Sequence, residues 1–326
     1  MDWLSIFNNA AGELISPTTA AYALAAIGLS VHFGYAGLLN FGQAGFMAVG
    51  AYAFAIATLS FAAPVWLAIL VAIVASVLFA FLLGIPTLRL RADYLAIVTI
   101  AAAEIVRYVV STVGLTSVTG GSQGLNGYNR EFQAINPLPA GTYGIGPWTY
   151  SANDWWVRLF GWGLVIIATI LVFMLMRSPW GRVVKGIRED EDAVRSLGKN
   201  VYSYKMQALV LGGVMGGLAG VVFILPRAVQ PGNYGTALTF FIWTALLLGG
   251  AATLLGPIVG AMLFWVLLSL SNGIIVGLRD VGILGFMSST QTGQVRFILV
   301  GIGLMLLVIF RPQGIFGNKK ELSFNV

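Results

Sequence analysis

Long stretches without charge are the feature that most constrains this chain. Residues 228–278 contain no charged side chain, and over all 326 residues 58% are hydrophobic while only 9% are charged. A soluble globular domain carries about 25% charged residues. A single core in water cannot hide so much apolar surface. The sequence therefore predicts an all-α fold, a polytopic bundle of transmembrane helices whose outside faces lipid.

The apolar segments give a count of spans, because a helix needs about 20 mainly apolar residues to cross a bilayer. Nine segments qualify, and a re-entrant segment would change the count to eight or ten. We predict that residues 1–326 form a single transmembrane domain, with a long outer loop at 115–156 and a cytoplasmic loop at 177–205. The predicted spans are 17–33, 43–61, 64–85, 93–114, 157–176, 206–226, 237–254, 256–278 and 293–311.

The positions of arginine and lysine predict the orientation, since these residues concentrate in cytoplasmic loops. With nine spans and the C-terminus inside, twelve of them fall in inner segments and five in outer segments. The N-terminus is therefore predicted outside the membrane and the C-terminus in the cytoplasm. The same bias explains the net charge of +6 without a nucleic-acid partner.

Cysteine is absent and the chain has one histidine, His32. These counts exclude disulfides, thiolate chemistry and a histidine-rich metal cluster. We therefore predict no metal site. His32 is expected to be a packed or interfacial residue rather than a proton relay.

The cytoplasmic loop carries a helical signal of its own. Ser178-Pro179 is typical of a helix start, with proline in the first turn, and apolar residues recur at roughly helical spacing from Trp180 to Leu197. Gly198 can end the helix. The sequence predicts one short amphipathic helix between two spans. This helix is either a surface loop that obeys the positive-inside rule or a docking element whose mixed charges fix its register against a soluble partner.

Six motifs occur in one order along the chain: G-Y-A-G-L-L-N-F-G-Q-A-G-F-M-A-V-G-A-Y at 34–52, L-R-L-R-A-D-Y-L-A-I-V-T-I-A-A-A-E-I-V-R at 88–107, T-G-G-S-Q-G-L at 119–125, S-P-W-G-R-V-V-K-G-I-R-E-D-E-D-A-V-R-S-L-G at 178–198, L-L-G-G-A-A-T-L-L-G-P-I-V-G-A at 247–261 and R-P-Q-G-I-F-G at 311–317. In these motifs the chain resembles the inner-membrane permease subunits of ABC importers for branched-chain amino acids. The resemblance implies a location in a bacterial-type plasma (inner) membrane. R-L-R-A-D-Y and R-P-Q-G point to one of the two permease types that pair in such importers. Permeases for urea and short amides look similar.

The resemblance implies a mechanism with several partners. A periplasmic substrate-binding protein delivers the solute to the outer face, two permease subunits form the pathway, and two cytoplasmic ATPases bind ATP and Mg²⁺. This chain has no G-x-x-x-x-G-K-[ST] phosphate-binding loop, so ATP hydrolysis is expected on another chain. The chain itself is expected to bind no cofactor and to be no enzyme. By the resemblance, residues 178–198 contact the ATPase, and the contacts are assigned to Trp180, Gly181, Arg182, Lys185, Arg188, Glu189, Asp190, Glu191 and Gly198.

Two charged residues fall within a predicted span. Glu104 and Arg107 lie three residues apart, so they share a helical face. Charges in hydrocarbon are costly and usually face the bundle interior or a water-filled cavity. The pair can line the substrate path and meet a zwitterionic solute, or it can be an internal ion pair that locks its helix to a neighbour. A third interpretation lets Arg107 reach the outer surface with its long side chain.

Two polar segments are further candidates for the substrate path. Asn40 and Gln43 lie among glycines between the first two spans, where the sequence fits both a substrate gate and a tight turn with close helix packing. Thr119, Gly120 and Gly121 in the outer loop can bind a substrate carboxylate through backbone amides, or they can form an ordinary turn.

Other glycines are interpreted as structural. Residues 212, 213, 216, 217 and 220 are all glycine and are spaced for close helix contact. A second glycine-rich break, at 249–260, is similar to the first, and the two are compatible with an internal duplication.

Two other protein classes fit the sequence less well. A stand-alone secondary transporter or channel usually needs ionisable groups at mid-membrane if protons or sodium drive it. This chain offers only the Glu104–Arg107 pair there, and such a protein does not need a long helical loop in the cytoplasm. An intramembrane enzyme lacks support, because the sequence contains no histidine–aspartate metal motif.

Overall fold

Helices account for about three quarters of this computed structural model, which describes residues 2–89, 92–284, 288–310 and 313–317. The α-helices are α1 Trp3–Gly12, α2 Pro17–Leu29, α3 Gln43–Phe61, α4 Val65–Thr87, α5 Ala92–Ser111, α6 Thr116–Thr119, α7 Arg130–Ala134, α8 Ala152–Arg177, α9 Pro179–Glu189, α10 Glu191–Ser196, α11 Val201–Ile224, α12 Thr236–Gly249, α13 Gly256–Asp280 and α14 Ser289–Phe310. A π-helix continues α2 at Ser30–Tyr35, 3₁₀ turns lie at Glu13–Ile15, Val113–Leu115, Gly121–Gln123 and Pro231–Tyr234, and two strands, β1 Thr142–Ile145 and β2 Trp148–Ser151, form a hairpin.

The predicted count of about nine spans is not confirmed, although each of the nine predicted segments overlaps a helix. Six helices in the described chain are long and apolar enough to cross a membrane, or up to seven if the bent pair Trp3–Ile15 and Pro17–Tyr35 forms one span. α12 is too short, since its 14 residues rise about 21 Å against about 30 Å of hydrocarbon. The apolar part of α14, Gly293–Gly303, is short as well. The six helices are α3, α4, α5, α8, α11 and α13.

The first span begins at a sequence-encoded cap. The Ser16 hydroxyl accepts a hydrogen bond from Thr19 N at 3.1 Å, and Pro17 occupies the first helical position. The serine satisfies a backbone donor, and the proline ring supplies a helical φ at a position that needs no N–H. α1 and its 3₁₀ extension meet this start at a bend of 46°. The N-terminal helix was not predicted from the sequence.

The centre of the bundle is formed by α3 and α11, whose residues are mostly buried, together with α2. A Cβ built on Gly50 would lie 2.2 Å from the Gly217 carbonyl oxygen, and one built on Gly28 would lie 2.4 Å from the Gly212 carbonyl oxygen. Only glycine fits where two backbones come this close. The predicted packing role of the α11 glycines is thus confirmed.

The outer loop folds on itself and on α1. β1 and β2 pair antiparallel in a hairpin that the sequence did not predict within the all-α fold. The Trp148 indole N–H donates to the Asn8 carbonyl of α1 at 2.9 Å, and the Trp156 indole N–H donates to the Phe132 carbonyl at 3.0 Å. The N-terminal helix and this loop therefore lie at the same end of the bundle.

The residues after α14 return to the end of α12. Ile315 N donates to the Leu248 carbonyl and Phe316 N donates to the Gly249 carbonyl, each at 3.0 Å. These bonds satisfy carbonyl groups that have no partner within α12. The R-P-Q-G-I-F-G motif thus closes the C-terminus of α12, and the first two residues of the motif lie outside the described residues.

Candidate functional site

A break in the helical backbone separates α2 from α3. The π-helix Ser30–Tyr35 leads into residues 36–42, where Gly37 has a left-handed φ of +68°. The Asn40 Oδ1 accepts a hydrogen bond from Gly42 N at 2.8 Å. Non-helical backbone is tolerated within a membrane bundle where side chains supply the missing hydrogen bonds.

His32, Asn40 and Gln43 form a buried polar cluster, and each of the three is 0% exposed. The Asn40 Nδ2 donates to His32 Nδ1 at 3.0 Å and to Gln43 Oε1 at 3.2 Å. His32 Nε2 therefore carries the ring proton, and it donates to the Leu209 carbonyl of α11 at 3.0 Å. The Gln43 Nε2 donates to the Ala25 carbonyl of α2 at 3.2 Å. The cluster joins α2, α3 and α11, as expected for a packed histidine.

The same break is bonded to α5 and α12. Phe41 N donates to the Thr99 hydroxyl of α5 at 3.0 Å. Ala44 N, in the first turn of α3, donates to the Thr239 hydroxyl of α12 at 3.0 Å. The Trp243 indole N–H donates to the Asn40 carbonyl at 3.1 Å. Five helices thus meet at the break, so it cannot move independently of them.

Two short helices, not one, lie in the loop between α8 and α11. After Glu189 the backbone of Asp190 is extended, and the Asp190 carboxylate accepts hydrogen bonds from Asp192 N and Ala193 N at 3.0 Å each. The prediction of a single helix is wrong here, because aspartate is among the strongest N-cap residues and starts a new helix. Gly198 follows α10 with a φ of +76°, which fits its predicted role in ending the helix.

α9 has two faces of opposite character. Val184 and Ile187 are buried against the bundle. A Cβ on Gly181 would lie 2.5 Å from the Leu175 carbonyl oxygen of α8, so the backbone of α9 touches the end of that span. The Trp180 indole N–H donates to the Gln207 side chain of α11 at 2.7 Å. The opposite face carries exposed charged residues at helical spacing: Arg182, Lys185 and Glu189.

The side chain of Arg188 connects α9 to the break. Its Nη1 donates to the Gly34 carbonyl oxygen in the π-helix at 2.5 Å. A Cβ on Gly37 would lie 3.1 Å from Arg188 Cγ, and the Lys185 ammonium lies 5.7 Å from the centroid of the Tyr35 ring. A displacement of α9 therefore acts directly on the end of the π-helix.

The second glycine-rich break packs against the first. A Cβ on Gly34 would lie 2.5 Å from Ala252 N. Ala252 has a φ of +62°, which residues other than glycine rarely adopt. The Thr253 hydroxyl bonds to the Gly250 carbonyl at 2.8 Å within this turn. The two breaks and α9 thus meet at one end of the bundle.

The two charged residues of α5 form an ion pair that reaches α12. Arg107 Nη2 and Glu104 Oε2 are 2.7 Å apart, and the other carboxylate oxygen of Glu104 accepts a hydrogen bond from Thr236 N at 3.2 Å. Thr236 is the first residue of α12, and its N-cap, Gly235, offers no side chain. A carboxylate at a helix N-terminus satisfies free N–H groups and interacts favourably with the helix dipole. The Arg107 and Glu104 side chains are 25% and 24% exposed.

α12 joins the ion pair to the buried polar cluster. Thr236, Thr239 and Trp243 are spaced by three and four residues, so they share one face of the helix. Along that face the backbone of Thr236 contacts Glu104, the Thr239 hydroxyl contacts the start of α3, and the Trp243 indole contacts Asn40. The two polar groups are thus linked through one short helix.

Thr119, Gly120 and Gly121 form a turn beyond the C-terminal end of α5. The Thr119 hydroxyl donates to the Val110 carbonyl at 2.7 Å and accepts from Gly121 N at 3.3 Å. Gly120 and Gly121 have φ values of +74° and +56°. The Gly121 amide therefore already has a partner within the turn.

The same segment contains G-G-S-Q-G at 120–124, which has the spacing of a serine nucleophile motif. A serine nucleophile needs an adjacent base. Both ring nitrogens of His32 are bonded to Asn40 and Leu209, far from this turn in the chain and in another hydrogen-bond network. The geometry around Ser122 therefore offers no histidine base.

The outer loop is fastened to the end of α11. Leu125 and Val229 form a backbone bridge. The Tyr128 hydroxyl donates to the Ile224 carbonyl at 2.9 Å and to the Arg227 carbonyl. Burial raises the pKa of the Tyr128 phenol above its ordinary value, although the charge of Arg227 opposes this change. The hydroxyl thus keeps its proton and remains a hydrogen-bond donor.

Comparison with known proteins decides the family. The family described as the branched-chain amino acid transport system, permease component, matches residues 14–310. The chain belongs to this family. The permease is 31% identical over 322 residues to the high-affinity branched-chain amino acid transport system permease protein LivM of Salmonella typhimurium, and the match covers 92% of the permease and 69% of LivM.

Two further relatives show the breadth of the family. The permease is 25% identical over 338 residues to the probable branched-chain amino acid transport permease protein LivM of Methanocaldococcus jannaschii, a match that covers 93% of the permease and 92% of the relative. It is also 25% identical over 289 residues to the nucleoside ABC transporter permease protein NupC of Lactococcus lactis, with 85% and 86% of the two chains covered.

The permease brings its predicted site residues together in three places. Asn40 and Gln43 meet in the buried polar cluster, and Glu104 and Arg107 meet on α5. The predicted ATPase-contacting residues lie on α9, on the cap residue Asp190, at the start of α10 and at Gly198. The turn at 119–121 is bonded to Val110 of α5, three residues after Arg107. The roles assigned to these residues stay predictions.

Sequence reasoning missed the residues of the permease that connect these places. Thr99, Thr236, Thr239 and Trp243 lie within apolar helices, where a single threonine or tryptophan carries no spacing signal. The one available signal was the shared helical face of the last three. The contact of Arg188 with Gly34 was also missed, because it involves a backbone carbonyl.

Proposed function

We propose that this permease forms one half of the translocation pathway of an ATP-driven importer for branched-chain amino acids. The family description and the names of the Salmonella and Methanocaldococcus relatives support this solute class. A second permease subunit would complete the pathway, two cytoplasmic ATPases would bind ATP and Mg²⁺, and a substrate-binding protein would deliver the solute from outside. ATP hydrolysis then belongs to the ATPases and not to this chain.

The hydrogen bond from Arg188 to Gly34 is the observation that carries the proposal. The charged face of α9 is exposed and available to an ATPase, while Arg188 of the same helix donates a hydrogen bond to the π-helix. The break after the π-helix is bonded in turn to α5 and α12. Movement of α9 can therefore reach the spans through packed, discrete contacts, as in other switching transitions.

The ion pair of α5 supports a place for the pathway. Ile97, Ile105 and Tyr108 are each about 60% exposed on α5, beside the partly exposed Glu104–Arg107 pair. An ion pair surrounded by hydrocarbon would be energetically costly. This face of α5 therefore suits contact with a second permease subunit, with a hydrated path between the two subunits. A zwitterionic amino acid offers both a carboxylate and an ammonium group to such a pair.

The contacts also support an orientation in the inner membrane. α1 packs on the outer-loop hairpin through Trp148, whereas the residues after α14 pack on α12 beside the two breaks and α9. The two ends of the described chain thus lie at opposite ends of the bundle. With the basic α9 end in the cytoplasm, the N-terminus lies outside and the C-terminus inside.

Arg188→Lys tests the coupling role in the assembled transporter reconstituted into vesicles. Lysine keeps the charge but loses the geometry of the guanidinium that reaches Gly34. Since a hydrogen bond from a charged group contributes about 1.5–3 kcal/mol, leucine uptake should fall about tenfold or more while ATP hydrolysis continues. Uptake of labelled leucine and phosphate release are measured in the same vesicles.

Arg130→Lys is the matched control, because Arg130 is exposed in the loop at the other end of the bundle and is not among the predicted ATPase contacts. If uptake by Arg188→Lys equals that of the control, the Arg188 contact does not transmit movement. A charge exchange, Arg188→Glu with Glu189→Arg, should abolish uptake while the protein remains inserted in the membrane. Normal uptake by that variant would remove α9 from the coupling route.

Uptake of different solutes tests the solute class. We expect leucine, isoleucine and valine to be transported with the cognate substrate-binding protein. A nucleoside is the second candidate, favoured by the match to the Lactococcus nucleoside permease along most of both chains. Urea and short amides are the third. Uptake of uridine or urea without uptake of leucine would reject the amino acid assignment and leave the coupling proposal intact.

A further inference from the structure

An apolar groove runs along α11 between α4 and α8, at the end of the bundle that carries α9. It has a volume of about 850 Å³, and its walls include Phe81 and Ile85 from α4, Leu175 from α8, and Met206 and Leu211 from α11. The side chains of Phe81 and Ile85 are 42% and 57% exposed. The groove therefore opens toward the outside of the bundle, where the hydrocarbon of a bilayer would lie.

A charged recess adjoins this groove. It has a volume of about 700 Å³ and lies between the end of α4, α10 and the start of α11. Tyr202 lines both the groove and the recess, so the two form one continuous surface that is apolar on one side and charged on the other. The charged residues that line the recess are Arg89, Glu191, Asp192, Arg195, Lys199 and Lys205.

The recess has a surplus of positive charge. The carboxylate of Glu191 pairs with Arg195, at 2.8 Å, and with Lys205. The Arg89 guanidinium lies 5.8 Å from the Tyr202 ring centroid. Among the side chains that the structure describes, no carboxylate lies at salt-bridge distance from Arg89 or Lys199. Two cations that line the recess are therefore available to an anion.

We infer that this surface binds an anionic phospholipid, with one acyl chain in the groove and the phosphate headgroup near Arg89 and Lys199. A free phosphate would not use the groove, and an apolar peptide would not use the cations. Trp180 and Tyr202 line the groove at the α9 end, where aromatic residues favour the membrane interface. Basic pockets between transmembrane helices on the cytoplasmic side are typical sites for anionic lipid headgroups.

A lipid in this position would touch the base of the loop helices. Trp180 of α9 is a wall of the groove and is bonded to Gln207 of α11, which also lines it. The bound lipid would therefore brace α9 against α4, α8 and α11. The inference relies on the proposed function only for the assignment of this end to the cytoplasmic leaflet.

Lipid retention by the purified full chain tests the inference without any transport assay. Native mass spectrometry would compare phosphatidylglycerol with phosphatidylcholine carrying identical acyl chains. We expect the protein to prefer phosphatidylglycerol about tenfold, because each cation near an anionic lipid contributes to binding. The pair of substitutions Arg89→Gln and Lys199→Gln should abolish this preference. Val210 also lines the groove, so Val210→Phe should fill it and lower the retention of both lipids.

Arg130→Gln is the control for loss of charge, because Arg130 is exposed in the loop at the opposite end of the bundle. Unchanged elution volume and unfolding temperature show that the variants are folded. Equal retention of the two lipids by the unaltered protein would overturn the inference, as would unchanged retention in Val210→Phe. Binding of glycerol phosphate as tight as that of the lipid would overturn it too, because the acyl chain would then contribute nothing. Loss of transport with intact lipid preference would count against the proposed function alone.

Discussion

Two sets of polar side chains lie within this apolar bundle, and they differ in how completely they are enclosed. His32, Asn40 and Gln43 are 0% exposed, and each is hydrogen-bonded to backbone or to another member of the cluster. The ion pair of Glu104 and Arg107 is about one quarter exposed, and only Glu104 reaches a neighbouring helix by a hydrogen bond. The buried polar cluster stabilises the non-helical backbone at residues 36–42, whereas the ion pair places two charges at the surface of the bundle.

Polar residues in a membrane span should therefore be judged by their unused capacity for hydrogen bonds. A fully satisfied buried network rigidifies a structure, because the loss of one member leaves the others unpaired in a medium of low dielectric. A partly exposed charge pair can exchange partners with water or with a solute. The buried polar cluster should therefore control stability, and the ion pair should control transport.

The largest effect is expected from Asn40→Leu. Leucine would leave His32 Nδ1, Gln43 Oε1 and Gly42 N without their partner, and each orphaned buried group costs about 1–3 kcal/mol. The unfolding temperature of the purified protein should fall sharply, and uptake should be lost with it. Thermal unfolding in detergent measures the effect, and Asn126→Leu in the exposed outer loop is the control. A variant at Asn40 that unfolds at the temperature of the control would show that the cluster does not hold the break.

Periodicity and composition predicted the long spans of this fold well, because each apolar helix carries its own signal. The predicted span 43–61 agrees with α3, Gln43–Phe61. α12 was predicted too long, because the break after it at Gly250 is as apolar as the helix itself. The division of the loop at Asp190 was missed, because one cap residue changes the backbone without changing the hydrophobic pattern.

The candidate site was predictable only as separate pieces. Asn40, Gln43, Glu104 and Arg107 are conspicuous because polar residues are rare in apolar segments. Their mutual arrangement depends on Thr239 and Trp243, whose side chains are ordinary in a span. Contacts between elements more than a hundred residues apart in the chain, such as that of Ala44 with Thr239, have no local signature in the sequence.

A smaller effect is expected from Glu104→Gln, and it should fall on transport rather than on stability. Glutamine keeps an oxygen that can accept from Thr236 N, so the start of α12 remains capped, while the charge opposite Arg107 is lost. A partly exposed ion pair contributes about 1 kcal/mol or less to folding. The initial rate of leucine uptake or its half-saturation concentration should change severalfold, with little change in unfolding temperature.

Glu104→Ala separates the two roles of this carboxylate. Alanine removes the cap of α12 as well as the charge, and the loss of a cap costs about 0.5–2 kcal/mol. The alanine variant should therefore unfold at a lower temperature than the glutamine variant, with uptake at least as weak. Unchanged uptake in Glu104→Gln together with a lower unfolding temperature would favour the internal ion pair over a place on the solute path.

The smallest effect is expected from Thr239→Val, which tests whether α12 links the two polar groups. Valine keeps the shape of threonine but removes the hydroxyl that accepts from Ala44 N, at a cost of about 1 kcal/mol. Thr244→Val on the same helix is the matched control, because the Thr244 hydroxyl bonds only within α12, to the Phe240 carbonyl. Combination of Thr239→Val with Glu104→Gln gives a double-mutant cycle for leucine uptake. If α12 couples the buried polar cluster to the ion pair, the effects of the two substitutions on uptake, expressed as free energies, should not be additive. The effects of substitutions at independent sites add to within about 0.5 kcal/mol.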